Sequence, residues 1–363
     1  MTLDRIIVKE IEHPKYMSWD VVEKWADIPV YSENDPLNPE WKATPCFPID
    51  LSSNGYGIVY IKNESDARSN PTKTIKDRMA WELTTLFRDY ARGLYLKRKE
   101  GILNGNLGRL VVPRFSVVTA GNVGKSIAKM YERFGLPPVK MLVDSSISKE
   151  RLDLLKELHA DVYVANLNDR ELSTDDIKEL TNNKNGIDIT SVRVFEPNAI
   201  FYDWHVHEVF NEHPNQVYIP YGSGRLFENY LTWQERTVRN NVMNRTDPRL
   251  RTSAGKVADI DILGAEPESI DSVADKLVKY SNPFAIFSKN DIAALNTLSF
   301  SGNETGTYKI SEDRIIEAYE ILRKYCDTEP SAAAGLALYL KRFDESRIHP
   351  RDKILIVNTG KGI

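Results

Sequence analysis

"RFSVVTAGNVGKSIAKMYERFGLPPVKMLVD" (114–144) sets the fold. Its first part, "RFSVVTA" (114–120), is a short run of Val, Phe and Thr that reads as a strand. "GKSIAKMYERFG" then keeps apolar residues at helical spacing and stops at Gly135, a C-terminal glycine signal. "VKMLVD" (139–144) is a strand again. Strand, helix and strand in so short a span predict a βαβ unit with parallel strands.

The pattern extends in both directions. "KERLDLLKELHA" (149–160) predicts a helix and "DVYVAN" (161–166) a strand. Upstream, "GIVYIK" (57–62) is a strand, and a helix begins near Lys76. Downstream, "QVYIPY" (216–221), "DIDILGAE" (259–266) and "KILIVNT" (353–359) read as further strands. The fold class is α/β with mostly parallel sheets, in which ligands sit at the carboxyl ends of strands. Segments 91–109, 236–256 and 277–309 read as surface insertions, the first two basic. There is no internal repeat and no low-complexity tract.

Composition bounds the function. The 363 residues predict about two domains, and 41% hydrophobic with 28% charged residues is ordinary for a globular protein. A net charge of −4 supplies no field toward nucleic acid or an acidic membrane. The N-terminal stretch has no apolar signal core, and no run approaches the roughly 20 apolar residues that span a bilayer. Cys46 and Cys326 are too few for a disulfide framework or a thiolate metal site. The expected location is the cytoplasm.

Four short motifs carry chemistry. In "NPTKTIKDRMA" (70–80), Lys76 falls in the first turn of a helix, whose amino end disfavours a cation and so favours a neutral amine. "TAGNVGKS" (119–126) nearly matches a P-loop, with Gly124, Lys125 and Ser126 in place but Thr119 where the leading glycine belongs. That supports a nucleotide-binding alternative, which leaves Lys76 unexplained. "YGSGRLF" (221–227) follows a strand and precedes a helix, a seat for phosphate on backbone N–H groups. "NTGKG" (358–362) places the Thr359 hydroxyl at a strand end.

Taken singly, each has a bland explanation. Lys76 would be a helix-start lysine paired with Glu64 or Asp77, Asn122 a turn residue, and Thr359 a backbone-bonded hydroxyl. Together they offer an amine nucleophile, an Asn-Gly turn, a phosphate seat and a hydroxyl to one cofactor. The aldehyde that carries a phosphate and a ring nitrogen is pyridoxal phosphate. "WHVHEVFNEH" (204–213) holds His205, His207 and His213, but helical positions two apart do not share a face, so no metal site is expected.

The order of these segments resembles the fold-type II pyridoxal-phosphate enzymes, the tryptophan synthase β-like family of threonine synthase, cysteine and cystathionine β-synthases and the serine/threonine dehydratases. "ATPCFPIDL" (43–51) resembles the family's opening, and "ILGAEPE" (262–268) and "TEPSAAAGLALYLK" (328–341) its later strand and backing helix. The resemblance implies two three-layer αβα domains with the cofactor in the cleft between them. Residues 1–84 plus 191–363 would form the larger domain and 85–190 the smaller. It makes Lys76 the Schiff-base lysine and general base. Asn122 becomes the partner of the phenolic oxygen, Gly222, Ser223, Gly224, Arg225 and Leu226 the phosphate loop, and Thr359 the ring-nitrogen partner. Thr119, Ala120 and Gly121 become the substrate-carboxylate clamp. The implied reaction is β- or γ-replacement on an O-substituted serine or homoserine by aminoacrylate-type chemistry, in a homodimer. Ala120 stands where dehydratases often carry alanine, so a serine/threonine dehydratase is the alternative.

Overall fold

The computed structural model describes residues 4–29, 43–103, 107, 109–119, 121–167, 172–190, 201–243, 257, 259–278 and 304–362. Among them, strands form two sheets, and each is parallel except at one edge. The first has β1 (Arg5–Lys9), β4 (Phe115–Val118), β5 (Val139–Asp144), β6 (Ala160–Ala165) and β7 (Ile187–Asp188). Their order is β1-β6-β5-β4-β7, with β1 antiparallel. The second has β2 (Cys46–Asp50), β3 (Ile58–Asn63), β8 (Gln216–Pro220), β9 (Asp261–Pro267), β10 (Thr305–Ile310) and β11 (Ile354–Asn358). Its order is β10-β9-β8-β11-β3-β2, with β2 antiparallel.

Three helices pack around the first sheet: α1 (Trp19–Ala26), α2 (Lys76–Lys99) and α3 (Asn122–Phe134). Ser18 caps α1 by accepting from the Val21 N–H, and Trp25 meets Phe87 of α2 edge-on at 5.0 Å between ring centroids. The first strand and helix therefore sit with the middle segment, whereas the sequence grouping of residues 1–84 puts them in the other unit. Helix α3 ends at Gly135, whose left-handed φ of 61° supplies the expected C-cap. Helices α4 (Lys149–Lys156) and α5 (Thr174–Leu180) follow β5 and β6, and α5 starts on a capping box between Ser173 and Asp176.

The second sheet is covered by α6 (Asp203–Asn211) and α7 (Arg225–Met243) on one side, and by α8 (Glu312–Leu322) and α9 (Pro330–Asp344) on the other. Helix α9 is buried from Ser331 through Leu340, which an Ala/Leu-rich helix opened by Pro330 allows. Each of its buried leucines contributes roughly 1.5–3 kcal/mol.

All three of the expected insertions are partly framework. Residues 91–99 are the last third of α2, with Ala91 and Leu94 buried. Residues 305–309 lie in β10, and 236–243 continue α7. Residues 104–106, 108, 244–256 and 279–303 lie outside the described residues.

Candidate active site

The carboxyl ends of β8 and β11 in one sheet and of β4 in the other meet at one cavity, through Pro220, Thr359 and Val118, as doubly wound sheets place their ligands. Lys76 reaches that place through a short antiparallel zipper. Ile75 N donates to Thr359 O (3.0 Å), Lys361 N donates to Lys73 O (2.9 Å), and Thr74 bridges Gly360. Only glycine fits at 360, because its φ is 112° and a Cβ would stand 2.2 Å from Lys73 O. The chain end that carries Thr359 is thus laid beside the residues that start α2.

Residues after Lys76 anchor the helix on both sides. Asp77 accepts from Thr72 N (2.8 Å) and Thr72 Oγ1 (2.7 Å), and Thr72 Oγ1 meets Ser126 Oγ of α3 at 2.8 Å. Burial pushes the Asp77 carboxyl up to about 6. Arg78 is buried and donates to Glu64 Oε2 (2.7 Å) and to both Glu208 oxygens (2.8 Å each), while Lys62 reaches Glu208 at 2.6 Å. Burial opposes these charges. For Glu64 it is outweighed by Arg78 and His205, so its carboxyl lies well below the ordinary range. His205 is held neutral by burial, its Nδ1 donating to Glu64 Oε1 (2.8 Å) and its Nε2 accepting from Tyr230 Oη (2.7 Å).

That same α6 segment supplies the partner of the candidate lysine. Lys76 Nζ donates to Tyr202 Oη at 3.0 Å, and Tyr202 is fully buried just ahead of α6. No sequence pattern ties a tyrosine to a lysine so far upstream, and Tyr202 is absent from the expected site.

A cavity of about 250 Å³ brings together Lys76, Thr119, Gly121, Asn122, Gly222, Ser223, Gly224, Leu226 and Thr359. Thr119 Oγ1 accepts from Gly121 N (3.0 Å) and Gly124 N (3.3 Å), which leaves its own proton to donate. Residues 222–224 lead straight into α7, so backbone N–H groups and the positive helix end face the cavity. Gly222 is tight: a Cβ there would lie 3.2 Å from Lys276 O. An amine, a bare phosphate seat and a neutral hydroxyl fit a phosphorylated aldehyde bearing a ring nitrogen.

The lining also includes Lys276, which lies in no motif, and Glu329, which falls in the 328–341 segment but is absent from the expected site. Glu329 carries the Lys276 ammonium, accepts from Gly362 N at 2.8 Å, and receives Asn122 Nδ2 at 3.5 Å.

Other expectations change. The Arg225 side chain does not line the cavity: its buried guanidinium donates to the carbonyls of Ile189 (2.7 Å) and Thr190. Only its backbone stays with the phosphate loop. Ala120 lies outside the described residues. Ser126 is fully buried on Thr72, so the Gly124-Lys125-Ser126 segment does not present a hydroxyl to a nucleotide metal. His205 is engaged by Glu64 and Tyr230, and among the described residues no cluster of three or more His, Cys, Asp or Glu is placed to hold a metal. Among the same residues no helix is long and apolar enough to cross a membrane.

A lysine at one helix start, a glycine-rich turn at another and a strand-end hydroxyl on one cavity define an enzyme that holds a phosphorylated carbonyl cofactor. The chain belongs to the family described as pyridoxal-phosphate dependent enzymes, which residues 37–360 match. Its fold is the tryptophan synthase β-like one and its cofactor is pyridoxal phosphate. No curated protein matches the sequence significantly. Solved structures share the fold at low identity. Diaminopropionate ammonia lyase from Escherichia coli gives a TM-score of 0.58 at 14% identity, covering 99% of this chain and 94% of that one. Serine racemase from Dictyostelium discoideum gives 0.57 at 16%, covering 95% and 98%. The O-acetylserine dependent cystathionine beta-synthase from Helicobacter pylori gives 0.55 at 16%, covering 89% and 94%.

Proposed function

We propose that this enzyme is a β- or γ-replacement synthase acting on a small amino acid with an oxygen-linked leaving group, O-substituted serine or homoserine. The observation that carries the reading is the single cavity shared by Lys76, the Thr119–Asn122 turn and Thr359. When bound there, pyridoxal phosphate supplies an electron sink for negative charge at the substrate α-carbon.

The chain's own residues do the rest. Gly222, Ser223, Gly224 and Leu226 hold the phosphate, with Asn122 on the phenolic oxygen. The Lys76 amine anchors the cofactor and then moves the α-proton at Nζ. The Thr119–Gly121 turn would hold the α-carboxylate, with the Thr119 hydroxyl, whose own proton is left to donate, as its side-chain donor. The Thr359 hydroxyl bonds the ring nitrogen without transferring a full charge, which suits elimination and replacement. Ile75, Val118, Leu226 and Phe227 line the same cavity and exclude water.

The Asn-Pro-Thr lead-in and Asp77-Arg78 favour the synthase reading. The identity of Ala120 favours the second one, a serine/threonine dehydratase. In either case the first sheet with α1 to α5 would form the smaller unit, and the protein would act as a cytoplasmic homodimer on free amino acids.

The test is product analysis with the cofactor-loaded protein. L-serine, O-acetyl-L-serine and O-phospho-L-homoserine are each supplied with and without a thiol nucleophile. A substituted amino acid from either O-linked substrate, or threonine from O-phospho-L-homoserine, supports the synthase. Ammonia and a keto acid from L-serine, with no replacement product, overturns it for the dehydratase.

A further inference from the structure

A second, larger cavity lies at the opposite end of β4 from the active site. It measures about 410 Å³, within the range of small-molecule pockets, and it has no part in the chemistry above. Its walls come from the amino ends of the first sheet. Arg114 immediately precedes β4, Lys140 lies near the start of β5, and Gly186 immediately precedes β7. By strand rise, roughly 17 Å of backbone separates Arg114 from Thr119 in the active-site turn.

The lining is unevenly charged. Lys15, Arg114, Lys140 and Lys184 face it, with His13, against one lining carboxylate, Glu179. Behind the wall Asp161 takes both Arg114 Nη2 (2.7 Å) and Lys140 Nζ (3.1 Å), so two buried cations share one anion. Glu10 compensates at one remove, accepting from Tyr163 Oη (2.5 Å), which itself accepts from Lys140 Nζ (2.9 Å). Asn182 Nδ2 also donates to Glu10 at 2.9 Å. Burial, then Arg114, lowers the Lys140 ammonium from its ordinary value, a sign that this positive charge is under-compensated. His13 adds no charge: Nε2 accepts from Arg114 Nη1 (2.6 Å), Nδ1 donates to Pro14 O (2.8 Å), and burial keeps the ring neutral. Lys15 and Lys184 stand exposed at the rim.

We propose that this cavity is a second ligand site, for a compact, multiply charged metabolite anion bearing phosphoryl or paired carboxylate groups. Arg114 and Lys140 form its fixed floor, and Lys15 and Lys184 close over the ligand from the rim. The chemistry comes from this charge arrangement, and the site is independent of which amino acid the active site uses.

The test is calorimetric titration at low ionic strength with inorganic pyrophosphate and, separately, citrate. The protein is first saturated with pyridoxal phosphate, so that the Gly222–Gly224 seat is filled. Wild type should bind at least one probe, and the tighter one identifies a phosphoryl or a carboxylate ligand. Lys15→Glu/Lys184→Glu, both at exposed positions, should weaken binding tenfold or more. Glu179→Gln should tighten it several-fold, a gain that damage to the fold does not produce. No binding to wild type, equal affinity in all three proteins, or weaker binding by Glu179→Gln would each overturn the proposal.

Discussion

Lys76 Nζ donates to Tyr202 Oη across 3.0 Å, although 126 residues separate the two in sequence. The tyrosine is buried at the start of α6, and the same helix carries His205 and Glu208 into the charge cluster around Arg78. One rigid segment therefore sets both the base of α2 and the position of the reactive amine.

Tyr202→Phe removes the acceptor and keeps the ring. A hydrogen bond between neutral groups is worth about 0.5–1.5 kcal/mol, so kcat should fall roughly twofold to tenfold. KM should change little, because Tyr202 is not among the cavity-lining residues. Steady-state kinetics beside a urea melt checks this, and a melt shifted as strongly as the rate would mark a merely structural tyrosine.

Arg78→Met leaves Glu64 and Glu208 buried with too little positive charge. Breaking such a cluster from one side costs about 3–5 kcal/mol. The pH dependence follows from the two carboxylates, both depressed, with Arg78 the largest opposing charge to their burial. Their stabilisation is present above the unfolded carboxylate range and is lost as pH falls through the folded values. Wild type should lose stability on acidification, and Arg78→Met should lose less of it over the same window. Urea midpoints at pH 7 and in the acid range measure both.

Glu82 has the opposite sign. Burial, with Asp203 nearby, raises its carboxyl to about 7. The folded state therefore holds a proton that the unfolded state releases, and stability falls between about pH 4.5 and 7. Glu82→Gln should match wild type near pH 4.5 and exceed it at pH 8, by on the order of 1–3 kcal/mol. Thermal melts across that range decide it, and a constant difference at all pH values would contradict the assignment.

Gly222→Val places a branched side chain where even a Cβ comes 3.2 Å from Lys276 O. Affinity for pyridoxal phosphate should drop tenfold or more. Affinity for pyridoxal, which lacks the phosphate, should hardly change. Fluorescence titration with both compounds separates loss of the phosphate seat from general damage.

Much of this site was legible because it lies on short motifs at strand ends. β5 runs from Val139 to Asp144 as read, and helix α3 stops at Gly135. The cavity gathers Lys76, Asn122, the Gly222–Gly224 turn and Thr359 from four separate segments. What stayed hidden depends on direction and distance. Arg225 sits at the expected place, but its side chain turns to the carbonyls of Ile189 and Thr190, a choice that sequence spacing does not encode. Residues 91–99 read as an insertion because Arg92, Lys97, Arg98 and Lys99 mask the buried Ala91 and Leu94. β1 pairs with β6 across the chain, and its exposed Ile6 and Ile7 give no alternating pattern to reveal it. Tyr202 and Lys276 belong to no recognisable motif, and Glu329 lies in the segment 328–341 that reads only as a backing helix.

The decisive experiment is covalent trapping of the cofactor. Wild type and Lys76→Ala are incubated with pyridoxal phosphate, their visible spectra recorded, and both reduced with borohydride for peptide mapping. We expect a visible band in wild type and a reduced cofactor adduct on the peptide containing Lys76, with neither in Lys76→Ala. An adduct on another lysine, Lys276 in particular, or an unchanged band in Lys76→Ala, would contradict the assignment of Lys76 as the cofactor's anchor.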